Sequence, residues 1–91
     1  MISVVTMHGD QPMFYLAAKS ALEARAFNHL MAQIDADHSL RLFHQVGGTT
    51  HSGNEAGVHG WETWAGVSRA TCEAMLPELN RRWRALISEL G

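Results

Sequence analysis

One cysteine, Cys72, stands in the whole chain, so no intrachain disulfide staples the fold, which fits a reducing compartment. There is one lysine, Lys19, and the formal net charge is −2. A protein that grips nucleic acid through general phosphate attraction needs many cations, so that class is disfavoured. The longest unbroken apolar stretch, Met13 to Ala18, is far shorter than the ~20 residues that cross a bilayer. No basic start followed by a long apolar run marks a leader, and a cytoplasmic protein is expected. Neither G-x4-G-K-[ST] nor G-x-G-x-x-G occurs, so nothing announces a nucleotide loop, and no cofactor is expected.

What is present describes a small globular domain. The 91 residues are 46% hydrophobic and 18% charged, a balance that supports a core and argues against disorder. That length makes a single domain over residues 1–91, close to the lower size at which one core sustains itself.

Periodicity supplies the elements. Residues 2–7 are rich in β-branched side chains and run into the turn-forming His8-Gly9-Asp10, which predicts a strand. Asp10 as N-cap and Pro12 in the first turn predict a helix over about 12–35, with Leu16, Phe27, Leu30, Met31 and Ile34 on the buried face and Asn28 on the opposite one. Alternation from Ser39 to Val46 predicts a second strand. Trp64, Val67, Cys72, Met75, Leu76, Leu79, Trp83, Leu86, Ile87 and Leu90 keep one helical register in a helix opened by Trp61, which lies one turn earlier and off that stripe, with Pro77 kinking the helix. The expected fold class is therefore α+β: a small β-α-β-α domain whose two-stranded sheet, three-stranded if Thr49–Ser52 joins it, is covered on one face by two helices. Strand order stays open. The first strand has apolar residues on both sides, and a homodimer would bury the surplus.

Core packing does not account for Gly47 to Gly60, which holds five of the eight glycines. Connections this long usually function or move. With Trp61 beside it, this segment is the expected partner-binding surface: His51, Asn54, Glu55, His59 and Trp61. A metal-binding domain or metal hydrolase would draw on His44, His51, Glu55 and His59, yet their H-x6-H-x3-E-x3-H spacing lacks the tight pairs typical of zinc sites. Arg81-Arg82-Trp83-Arg84 sets an aromatic among cations, but helical geometry turns Trp83 inward and leaves the arginines as a solvated face.

The function these features favour is a small intracellular protein–protein interaction module without catalytic activity. Accessory and inhibitor proteins of phages and mobile elements share this profile of small size, mild acidity and no catalytic set. Its partner would be another protein or protein complex, with no membrane and no nucleic acid. A purely structural, oligomerising subunit is the third alternative.

Overall fold

The computed structural model describes residues 1–6, 11–37, 43–46, 55–63 and 66–91. Four strands and two helices follow in the order β1 (Ser3–Thr6), β2 (Pro12–Ala18), α1 (Ala21–Asp37), β3 (Phe43–Val46), β4 (Gly57–Thr63) and α2 (Arg69–Leu90). The strands form one antiparallel sheet in the order β1-β2-β4-β3. The α+β class and the two helices packed on a small sheet agree with the sequence. The sheet is wider than expected, because two segments read as helix and loop are its two central strands.

Met13 to Ala18 is the first of these. The run is apolar without interruption, and such a run fits a strand buried on both faces as well as one turn-and-a-half of helix. Pro12 heads the strand, where its missing N–H costs little, and its carbonyl accepts a 2.8 Å hydrogen bond from Thr63 Oγ1. The true helix start lies at Ser20: its Oγ accepts from the Glu23 backbone N–H at 3.2 Å, and Glu23 Oε1 reaches back to the Lys19 N–H at 3.1 Å. This S-x-x-E arrangement is a capping-box variant, and it shifts α1 eight or more residues along from the expected start.

The second is β4. Gly57 to Thr63 alternates, but the inward positions carry His59, Trp61 and Thr63 and the outward ones Val58, Gly60 and Glu62, so the pattern does not show as apolar against polar. Gly60 has a packing reason. A Cβ there would stand 2.8 Å from the Met13 sulfur, which lies across the bare backbone.

Ser68 caps α2, its hydroxyl accepting the Thr71 N–H at 3.1 Å. The helix thus begins at Arg69 and not at Trp61, and a single helix runs through Pro77 to Leu90. Trp64, the turn residues 8–10, the start of the expected second strand and the proposed strand at 49–52 lie outside the described residues.

One side of the sheet meets both helices. Val4, Phe14, Leu16, Ala18 and Trp61 pack there with Phe27, Leu30, Met31 and Ile34 of α1 and with Cys72, Leu79 and Trp83 of α2. Trp83 also donates its indole N–H to the Glu23 carbonyl at 3.1 Å, tying the helices together. The edge strand β1 is closed from outside by α2. Asn80 Oδ1 accepts from the Ile2 N–H at 2.8 Å and Asn80 Nδ2 donates to the Ile2 carbonyl at 3.0 Å, while Arg69 donates to the Val4 carbonyl at 3.2 Å and to Thr6 Oγ1 at 2.7 Å. The Ile2 N–H and carbonyl and the Val4 carbonyl, backbone groups that would otherwise invite another strand, are occupied.

Candidate functional site

Two of the expected contact residues sit inside the molecule. His59 is 2% exposed and Trp61 7%, because β4 turns both toward α1. This corrects their expected placement on an exposed loop and at a helix end; the physical reason is the strand at 57–63, whose alternation sends both side chains to the helix side. Glu55 is exposed, at the end of the segment leading into β4. His51 and Asn54 lie outside the described residues.

His59 and Trp61 meet Asn28, which the sequence reading placed on the outer face of α1 and which is buried. On a helical wheel Asn28 lies at the flank of the face made by Phe27, Leu30, Met31 and Ile34, and it is the approach of β4, through His59 and Trp61, that buries it. The three side chains form a directed relay. Trp61 Nε1–H donates to Asn28 Oδ1 at 2.9 Å, the Asn28 amide donates to His59 Nδ1 at 3.3 Å, and His59 Nε2–H donates to the Glu55 carbonyl at 2.6 Å. A carbonyl only accepts, so Nε2 carries the proton and Nδ1 is left as acceptor, the role that the Asn28 amide satisfies. Both ring nitrogens are engaged within the fold. The arrangement braces β4 against α1 rather than presenting a base or a ligand to solvent.

Of the four metal candidates, His51 lies outside the described residues. Position 44 pairs with Glu62 and position 45 with Trp61, so residue 44 shares its register with the outward row of β4 while His59 belongs to the inward row. Glu55 contributes its backbone carbonyl to His59. Among the described residues no group of three or more His, Cys, Asp and Glu side chains could hold a metal ion.

On α2, Trp83 points inward, Arg81 pairs with Glu78, and Arg82 reaches Gln33 Oε1 at 3.4 Å. The groove between the helices, lined by Gln33, Arg82, Leu86 and Glu89 among others, carries both signs of charge. Cys72 is fully buried, and burial pushes its thiol above the usual range; Arg69 opposes that shift and Glu73 adds to it. It is a small hydrophobe in the core, not an activated thiol. No described helix is long and apolar enough to cross a membrane.

The other side of the sheet is the distinctive surface. Antiparallel sheets with one solvated face usually set polar residues outward. Here the outward positions of β1, β2 and β4 include Val5, Met13, Tyr15, Ala17 and Val58, with Ser3 and Glu62 as the polar exceptions. Val5, Tyr15 and Val58 are half-buried and Ala17 is exposed, and neither helix lies on them. The signal was available in the sequence only as a strand with apolar residues on both sides, seen for β1 and missed for β2.

The chain matches none of the protein-family models, curated proteins or solved structures with which it was compared.

Proposed function

We propose that the chain is a protein-binding module without chemistry of its own, and that it makes contact through the helix-free face of its sheet. The observation that carries this reading is the apolar outward row across β1, β2 and β4, opposite a core already filled by both helices. Met13 is buried over Gly60, Val5, Tyr15 and Val58 are half-buried and Ala17 is exposed, and an apolar sheet face on which no helix lies is suited to an interaction site. The contact surface expected from sequence thereby moves: His59 and Trp61 lie on the inward side of β4, behind it. An accessory or inhibitor protein of phage type would work in this manner, by occupying a surface on its target. A reduced Cys72 suits an intracellular setting.

Photo-crosslinking in the native cell tests the reading. A photoreactive residue replacing Ala17 on the open face should give specific protein adducts, while the same residue at Arg84, on the outer side of α2, should not. Equal adducts at both positions, or none at Ala17, would sink it.

A further inference from the structure

We infer that the relay of His59, Asn28 and Trp61 is a proton-operated latch: uptake of one proton by the His59 ring releases β4 from α1. The latch stands whether or not the open sheet face binds a protein.

The two ends of the relay fix its polarity. An indole N–H only donates and a peptide carbonyl only accepts. Trp61 therefore donates to Asn28 Oδ1 at 2.9 Å, and at the other end the Glu55 carbonyl takes the His59 Nε2 proton at 2.6 Å. Between them the Asn28 amide N–H meets His59 Nδ1 at 3.3 Å, so that nitrogen is a bare acceptor. No buried side-chain nitrogen or oxygen among the described residues lacks a partner, and the relay is saturated as it stands.

One more proton has only Nδ1 to occupy, where it points at the Asn28 N–H. Turning the Asn28 amide over offers Oδ1 to the charged ring but sets the amide NH2 against the Trp61 indole N–H. Either orientation leaves two donors facing each other. His59 is 2% exposed and Asn28 9%, so water does not readily come between them.

Among the described residues no carboxylate pairs with the ring. Its hydrogen-bond partners are the Asn28 amide and the Glu55 carbonyl, and the Glu55 residue itself is exposed. On α1 the ionisable neighbours of Asn28 are Arg25 and His29, both exposed, with Glu23 and Asp35 further along the helix. β2 sets Leu16 opposite His59 and turns Tyr15 outward, Glu62 of β4 is also outward, and residue 44 of β3 pairs with it in that row. From α2 comes Cys72, a thiol that burial keeps protonated. An imidazolium formed here would be a buried charge without a counter-ion.

A histidine in an open chain takes up a proton near pH 6.5. The open form accepts that proton and the latched form has no place for it, so the latch is intact above this pH and loosens as pH falls below it. Since β4 lies between β2 and β3 and carries the core residue Trp61, opening exposes an indole.

Urea unfolding of the purified chain, followed by tryptophan emission between about pH 7.5 and 5.5, tests the latch. The folded-to-unfolded ratio should fall by up to about tenfold per pH unit below ~6.5. His59→Gln, which retains a donor and an acceptor without a titrating ring, should flatten that dependence by one proton, and His29→Gln on the outer side of α1 should leave it unchanged. Nitrogen NMR of the wild-type imidazole gives a second reading that needs no variant: the ring of the folded chain should carry its proton on Nε2 alone across the whole range. A ratio that does not move with pH overturns the latch, as does the wild-type slope persisting in His59→Gln. So does a doubly protonated His59 ring in the native fold, and this reading decides by itself if His59→Gln does not fold.

Discussion

Asn80 closes both backbone groups of Ile2 with the two ends of one side-chain amide, its Oδ1 taking the N–H at 2.8 Å and its Nδ2 giving to the carbonyl at 3.0 Å. The amide substitutes for the next strand. Asn80 is 5% exposed and Ile2 1%, so water does not readily replace it. Asn80→Ala should lower the unfolding free energy by about 2–4 kcal/mol, since each buried group left without a partner costs ~1–3 kcal/mol. Asn80→Asp, which keeps the acceptor but sets a carboxylate oxygen against the Ile2 carbonyl, should recover little of it. Urea unfolding of the three proteins decides; a loss under ~0.5 kcal/mol for Asn80→Ala would show that the edge is not held this way.

The relay through Asn28 gives a second expectation. Asn28→Leu removes the acceptor of the Trp61 indole and the donor to His59 together, and should cost about 2–4 kcal/mol. Trp61→Phe should cost less, because the ring still packs on Phe14. A double-mutant cycle between Asn28 and Trp61 should return a coupling of ~1 kcal/mol or more; additivity within ~0.3 kcal/mol would deny the contact.

Pro77 lies exposed within α2 and deprives the helix of an amide, with the ring opposed to the carbonyl of Glu73. Pro77→Ala should raise stability by about 1–3 kcal/mol, read as a higher urea midpoint at unchanged slope. If the midpoint stays put, the proline costs the helix nothing.

Burial holds the Cys72 thiol above its usual range, so the folded state keeps the proton to higher pH than the unfolded state does. The sign follows: this group's contribution is intact below the ordinary thiol value and diminishes as pH rises past it. Between pH 7 and about 9.5 the wild-type chain should lose more stability than Cys72→Ala. In parallel, alkylation of the native thiol should be at least ~100-fold slower than in urea, tracking the fraction opened. Fast native labelling would place the sulfur at the surface.

How far the sequence could be read depended on whether a local signal competed with a stronger one. The register from Cys72 to Ile87 was clear because every fourth or third residue was large and apolar, and α2 keeps Cys72, Leu79 and Trp83 inside. Leu90, read as part of the same stripe, is 41% exposed because the stripe outruns the core. Around Pro12 two signals conflicted. Asp10 and Pro12 resemble a helix start, and the apolar run after them has no period to contradict it; the weaker-looking Ser20–Glu23 cap was the real one. At Gly57–Thr63 the difficulty lay in composition. Glycine and histidine suggest a loop, yet Gly60 makes room for Met13 and His59 is buried by partners from α1 and its own chain, neither of which is local information. The inward position of Asn28 depends on β4, which supplies His59 and Trp61 as its partners, and the helix-free face was lost with β2.

The clamp on Ile2 also orders events during synthesis. Residue 80 is made 78 residues after residue 2, so the nascent chain carries its first strand with an unprotected border throughout that interval. Native closure waits for α2. A newly made copy is thus exposed to strand pairing with its neighbours until α2 emerges, and replacement of Asn80 by a side chain without an amide would leave that hazard permanent.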